Sequence, residues 1–176
     1  PLDAEALFGL GRALIESGER ERGLEHLKRH RELTPLLDAL DFARRGLDLA
    51  PAHAPNHAAL GDAWRSLVPA DPSAYERSDR AYLTALKLMG SAERTPVYLR
   101  RARLIHEHGA GALAAAKMLG VALEESEDAR LLVRAADYYM EVGEHSEAAS
   151  LLERALKLRP RDASIRSRLQ RAREGK

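Results

Sequence analysis

Apolar side chains recur along most of the chain at the spacing of an amphipathic helix. In the segment from Ala129 to Asp162 they occupy positions i, i+3, i+4 and i+7 of a first helix, which together form one helical face. Gly143 interrupts this pattern, a second apolar stripe follows, and Pro160 ends the second helix. The segment is therefore predicted to be a pair of helices joined by a glycine turn.

Three other segments repeat this order of a striped helix, a turn and a second striped helix. Residues 4–35 repeat it closely, residues 54–90 repeat it with an expanded turn that contains two prolines, and residues 95–128 keep its spacing. The turn glycines of the last two units, Gly109 and Gly143, are 34 residues apart. A fixed period of this length is typical of a helical repeat protein.

Two segments fall outside these four units. Residues 36–50 have one apolar face and follow Pro35, which commonly occupies a first helical turn, so they are predicted to form an extra, separate helix. Residues 163–174 are mostly polar and are predicted to form a C-terminal capping helix, since a terminal helix needs only one narrow apolar face. That face consists of Ile165, Leu169 and Ala172.

The landmarks of the segment 129–162 resemble those of the tetratricopeptide repeat (TPR). The residues that carry the resemblance are Leu132, Ala135, Ala136, Tyr139, Gly143, Ala148, Leu152, Ala155 and Pro160. Two of them depart from the family, because Leu132 stands where it prefers tryptophan and Ala136 where it prefers glycine. The resemblance implies an all-α fold, a right-handed solenoid of antiparallel helix pairs that spans residues 1–176 as a single domain.

The resemblance also implies a candidate binding surface, because the first helix of each TPR pair lines the concave side of the solenoid. The exposed stripe of these helices lies one residue beyond the packing stripe. It combines apolar residues with Arg and Asp, which is typical of a surface that holds a peptide or helix by burial and ion pairing. The candidate groove residues are Phe8, Arg12, Ile15, Asp62, Arg65, Leu99, Arg103, His106, Val133, Asp137 and Met140.

The function implied by this surface is a non-catalytic scaffold or adaptor that binds a protein or peptide partner in the concave groove. The alternative for the surface is that some of these residues pack against the next repeat or the extra helix. Two alternatives for the function also stay open: a substrate-presenting domain of a larger enzyme whose catalytic domain is absent here, and a sensor of a small molecule or signal peptide. The Lys/Asn/Arg clamp with which some TPR proteins hold chaperone C-termini is not reproduced, since only Arg100 matches it.

Composition argues against several other classes of protein. Hydrophobic residues make up 45% of the chain but aromatic residues only 5%, which suits the thin Leu- and Ala-rich layers of a repeat protein. The absence of cysteine excludes disulfides and thiolate metal sites. The formal net charge of +1 argues against nucleic acid binding. No apolar run approaches the roughly 20 residues that span a bilayer, so membrane insertion is not predicted.

No catalytic or cofactor motif is evident. His26 and His30 are spaced i, i+4, but Leu27 stands where the metalloprotease motif has glutamate and no third ligand is apparent. The sequence therefore predicts no enzyme activity, no metal and no cofactor. The N-terminal end lacks a capping helix, which suggests a truncated chain or a covering partner there, including a second copy in a homo-oligomer. The compartment is not determined, with the cytoplasm slightly favoured.

Overall fold

The computed structural model describes residues 3–175, which divide into two compact units between Ala81 and Tyr82. Over this range the chain forms nine α-helices and one short 3-10 helix, with no strand. Pro1, Leu2 and Lys176, which belong to the predicted domain 1–176, lie outside the described residues. The α-helices are α1 (Ala4–Glu16), α2 (Arg20–Leu49), α3 (Ala54–Leu67), α4 (Ala74–Leu88), α5 (Thr95–His108), α6 (Gly111–Glu125), α7 (Ala129–Glu141), α8 (His145–Leu158) and α9 (Ala163–Arg173); the 3-10 helix is Ser91–Glu93.

The first unit is built on two close helix contacts, α1 with α2 and α2 with α3. Gly11 of α1 and Gly23 of α2 are both buried, and a Cβ atom on Gly23 would lie 2.6 Å from the Gly11 carbonyl oxygen. The two backbones therefore meet directly, which only glycine allows at that point. Farther along, Trp64 and Leu67 of α3 are buried. The fully buried Ser78 of α4 donates a hydrogen bond of 2.8 Å to the Gly61 carbonyl.

The predicted separate helix at residues 36–50 is wrong, because α2 continues through Pro35 as one helix of 30 residues. An interior proline removes a backbone hydrogen bond and costs about 3 kcal/mol. Packing holds the helix on both sides of it, since Leu33, before the proline, and Leu40, after it, are both buried. The helix contacts α1 and α3, so tertiary packing offsets the local cost of the proline.

The second unit stacks α5 to α9, each helix packing against the next, and α5 also contacts α7. Leucine fills its core and alanine lets the helices approach closely, as the low aromatic content predicts. The apolar stripe predicted for the capping helix is buried on α9. Residues that are 1% exposed or less include Leu119, Leu131, Leu132, Leu152, Ala115, Ala116, Ala135, Ala136, Ala148 and Ala155.

The first helices of the successive pairs in the second unit begin at regular intervals. Helices α5, α7 and α9 begin at residues 95, 129 and 163, which is a constant spacing of 34 residues. Gly143 makes the predicted turn between α7 and α8 with a φ of +79°, a conformation that favours glycine. At the α5–α6 turn the residue with positive φ is Gly111, at +81°, whereas the predicted Gly109 has a φ of −115°. None of the helices described is long and apolar enough to cross a lipid bilayer.

Candidate functional site

A pocket of about 510 Å³ opens on the second unit, where α5, α7 and α9 contribute to one surface. Four of the candidate groove residues line it: Leu99, Arg103, Val133 and Asp137. On α5 and on α7 an apolar residue is followed four positions later by a charged one, which places both on the same helix face. The complete lining is Leu99, Arg100, Arg103, Ala129, Arg130, Val133, Arg134, Asp137, Arg159, Asp162, Ser164, Ile165 and Arg168.

Two N-cap residues fix where α7 and α9 begin, and side chains of both helices line the pocket. The Oδ1 atom of Asp128 accepts from the Arg130 amide at 2.7 Å, and that of Asp162 accepts from the Ser164 amide at 2.9 Å. Asp162 also accepts from the Ile165 amide at 3.2 Å. An N-cap carboxylate satisfies amide groups that have no partner within the helix, so the pocket residues follow at fixed offsets from each cap.

Asp128 also connects α7 to the start of α5. Its Oδ2 atom accepts from the Thr95 hydroxyl at 3.1 Å and lies 2.9 Å from the Arg130 guanidinium. Hydrogen bonds from the Arg130 side chain are the main cause that lowers the pKa of Asp128 to about 2, with the Arg130 amide and Thr95 adding to the effect. The carboxylate is therefore ionised at neutral pH and stabilises the relative placement of the two helices that carry Leu99 and Val133.

The centre of the pocket is apolar. Ala129 and Ile165 line it and are buried, at 6% and 3% exposure. Leu99 and Val133 are half-buried: they pack against the core of the second unit and also reach the pocket. These two residues therefore belong both to the predicted groove and, in part, to the alternative in which they pack against neighbouring helices.

The walls of the pocket are charged. Arg168 of α9 donates from Nε to the Asp137 carboxylate of α7 at 3.0 Å, so an ion pair joins two of the helices that form the site. Arg103 pairs with Glu107 at 2.6 Å along α5. An apolar floor with charged walls binds an apolar group by burial and orients it by ion pairing.

The other candidate residues of the second unit, His106 and Met140, do not line this pocket. The His106 Nε2 atom lies 2.8 Å from the Glu141 carboxylate, and its ring centroid lies 4.8 Å from that of Tyr138. Met140 is half-buried against the core. Both positions therefore take part in contacts within the unit.

The five candidates of the first unit lie on α1 and α3. Phe8 is 44% exposed and stacks near the His30 ring, and the Arg12 guanidinium lies 5.9 Å from the Phe8 ring centroid. Ile15 contacts the helix crossing at Gly23 and is half-buried. On α3, Asp62 borders a shallow pocket of about 610 Å³ shared with α2, and Arg65 is half-buried.

Sequence reasoning missed the contribution of α9 and the loop before it. Five lining residues come from this region. Arg159 and Asp162 precede α9, and Ser164, Ile165 and Arg168 lie on the helix that was predicted to be a C-terminal cap. The signal was present, because the capping residues Asp128 and Asp162 are 34 residues apart. Helix α9 thus begins at the same point of the period as α5 and α7 and is placed like the first helix of a further unit.

Comparisons with known proteins agree with this architecture. Residues 129–172, which include α7, α8 and all of α9 except Arg173, match the family model described as tetratricopeptide repeat. The chain has a TPR fold. It is similar to the crystal structure of a thermophilic TPR protein in Thermus thermophilus, with a TM-score of 0.61 and 18% sequence identity over 97% of this chain and 98% of that chain. The resemblance and the all-α TPR-like solenoid predicted from the sequence are confirmed.

The TPR fold narrows the class of function. TPR domains generally serve as non-catalytic scaffolds that bind protein partners. No curated protein is significantly similar to the chain in sequence. Within residues 3–175, no group of three or more His, Asp or Glu side chains is arranged to hold a metal ion.

Proposed function

We propose that this TPR chain is a non-catalytic adaptor that binds a peptide or helical segment of a partner protein in the pocket formed by α5, α7 and α9. The pocket itself carries the proposal, since four residues predicted from the repeat pattern line one cavity of about 510 Å³. Its half-buried Leu99 and Val133 supply apolar surface for affinity, and its charged walls supply orientation.

The proposal is tested by filling the pocket. Ser164 lies exposed at the start of α9 and lines the pocket, whereas Ser167 lies exposed on the same helix and does not. A display library of random twelve-residue peptides is selected on the full 176-residue chain, and the enriched peptides are then measured against Ser164→Trp and Ser167→Trp. Loss of binding by Ser164→Trp with unchanged binding by Ser167→Trp is expected.

Two results would remove the proposal. One is a selection that enriches no peptide on the wild-type chain. The other is equal binding of the enriched peptides by both tryptophan variants. Circular dichroism melts of both variants accompany the binding assays, and Ser167→Trp controls for the effect of a bulky aromatic residue on α9.

A second candidate is the sensor of a small molecule, because the pocket volume falls within the roughly 300–1,000 Å³ of small-molecule sites. Its distinguishing property is a melting temperature that rises with ligand concentration. A metabolite library screened by thermal shift against the wild-type chain and Ser164→Trp separates the two candidates. A compound that raises the melting temperature of the wild type alone favours the sensor.

A further inference from the structure

Positive charge dominates the lining of the pocket. Six of its residues are arginines and two are aspartates. Both aspartates are already engaged: Asp137 accepts from Arg168 at 3.0 Å, and Asp162 caps α9 through two backbone amides. The arginines are Arg100, Arg103, Arg130, Arg134, Arg159 and Arg168.

Two carboxylates just outside the lining pair with arginines of the pocket. Glu107 pairs with Arg103 at 2.6 Å and Asp128 with Arg130 at 2.9 Å. Within residues 3–175, the exposed Arg159 has no ion-pair partner. The chain as a whole carries a formal net charge of only +1, so the positive charge is local to the pocket.

A ligand that occupies this pocket must meet two energetic demands. Apolar groups must cover Leu99 and Val133, since removing their apolar surface from water contributes favourable free energy of binding. The occupant also removes water from the surrounding guanidinium groups, which is costly unless negative charge replaces that water. A basic or neutral segment meets the first demand but not the second.

We propose that the preferred partner is an acidic peptide segment in which Glu or Asp side chains flank an apolar anchor. This inference rests on the proposed function and specifies the chemistry of its partner. The apolar anchor occupies the centre between Leu99 and Val133, and the flanking carboxylates pair with arginines of the wall. The exposed arginines of the lining are Arg100, Arg103, Arg130 and Arg159. We assign the pairing to Arg103, whose partner Glu107 lies on its own helix, and to Arg159.

Single-stranded nucleic acid is also anionic, but the lining does not favour it. Sites for single strands combine cationic grooves with aromatic rings on which bases stack. None of the described residues that line this pocket is aromatic. The apolar centre consists of aliphatic side chains, which complement an aliphatic or aromatic side chain of a peptide.

The test uses the display selection on the full chain, with the C-terminus of every peptide fused so that only side-chain carboxylates are available. The enriched peptides are expected to be rich in Glu and Asp around one or two apolar residues. The strongest of them is then synthesised with amide caps, once as selected and once with every Glu and Asp replaced by Gln and Asn. The acidic form is expected to bind at least about tenfold more tightly, with affinity that falls as salt rises.

A pair of double variants locates the charge effect. Arg103→Gln with Arg159→Gln removes two charges from the pocket, and Arg45→Gln with Arg171→Gln removes two exposed charges elsewhere. The pocket variant is expected to weaken the acidic peptide roughly five- to tenfold, as two partly exposed ion pairs allow. The matched variant, with the same net charge, is expected to leave binding unchanged.

The outcomes separate this inference from the proposed function. Enriched peptides that are blocked by Ser164→Trp but show no acidic bias, or that bind equally well as the Gln/Asn form, would overturn the acidic partner and leave the peptide adaptor intact. Equal loss in both double variants would also overturn it. A fluorescent oligo-dT or oligo-U of twelve nucleotides that binds more tightly than the acidic peptide, and is lost in Ser164→Trp, would assign the pocket to nucleic acid instead.

Discussion

Asp128 connects two helices of the second unit through one carboxylate. It caps α7, accepts from the Thr95 hydroxyl of α5 and pairs with Arg130. The carboxylate is 21% exposed, and its pKa of about 2 lies below the ordinary value of 3.8. A carboxyl group whose pKa is lower in the folded state stabilises the fold above its unfolded pKa. That contribution is lost as pH falls from about 4 through about 2.

Two substitutions separate the charge of Asp128 from its role as a cap. Asp128→Asn keeps a good N-cap but removes the charge, and is expected to lower the free energy of unfolding at pH 7 by about 1–2 kcal/mol. The difference from wild type should shrink towards pH 2, where the wild-type carboxylate becomes protonated. Asp128→Ala also removes the cap and should cost about 1 kcal/mol more.

Urea unfolding at several pH values, followed by circular dichroism, measures both effects of the Asp128 substitutions. A difference between wild type and Asp128→Asn that stays constant from pH 7 to pH 2 would show that the ion pair contributes nothing. Equal stability of Asp128→Asn and Asp128→Ala would show that capping contributes nothing.

At the scale of helices, the α1–α2 crossing depends on the lack of a side chain at Gly23. A Cβ atom there would lie 2.6 Å from the Gly11 carbonyl oxygen and 3.0 Å from the Ile15 amide nitrogen, and neither backbone atom can rotate away. Gly9 lies on the same helix pair, in α1, and a Cβ atom added to it would have no neighbour within 4 Å. A Gly→Ala substitution is therefore expected to have opposite effects on stability at the two positions.

Gly23→Ala is expected to destabilise the first unit. The intrinsic helix preference of Ala gains about 1 kcal/mol, but separating the two backbones costs about 1–3 kcal/mol and abolishes contacts along the crossing. Gly9→Ala should instead raise the free energy of unfolding by up to about 1 kcal/mol, since it gains propensity without a clash. The single tryptophan, Trp64, belongs to this unit, so its fluorescence in urea follows both variants. Stabilisation by Gly23→Ala would contradict the close crossing.

Helix boundaries show what the sequence predicts and where it fails. The 34-residue spacing, the Gly143 turn and the buried stripe of α9 follow from periodicity, because repeated packing imposes the same pattern on each unit. The continuation of α2 through Pro35 does not follow from the sequence pattern, since a proline indicates only a local energetic cost. Packing on both sides of α2 offsets that cost, and a long-range contact of this kind has no signature in the fifteen or so residues around the proline.

At the scale of the whole molecule, two of the three helices of the candidate site, α5 and α7, were predictable, but α9 and the composition of the lining were not. The positions one residue beyond the packing stripe include Leu99, Arg103, Val133 and Asp137. They could be selected from the sequence because the first helices of all repeats share one orientation. It did not identify Arg130, Arg134 or Arg168, since which side chains border a cavity depends on how the helices are spaced in three dimensions. The excess of arginine over carboxylate became apparent only from the assembled lining.

The N-terminal end carries the remaining prediction, a homo-oligomer formed through that end of the chain. Phe8 and Leu10 of α1 and Leu24 of α2 are 44%, 47% and 46% exposed. Apolar side chains that form an exposed patch favour contact with a partner surface. If two copies cover them, the mass of the chain in solution exceeds 19.4 kDa and rises with concentration.

Light scattering coupled to size-exclusion chromatography over a hundredfold range of concentration measures that mass. Leu10→Glu places a charge in the proposed contact and is expected to return the chain to 19.4 kDa. Leu113→Glu, at a leucine of α6 that is 39% exposed, is the matched control and should leave the assembly intact. A wild-type mass of 19.4 kDa at every concentration would refute the homo-oligomer. The apolar side chains of α1 would then be available to a different protein, because their exposure does not depend on which partner covers them.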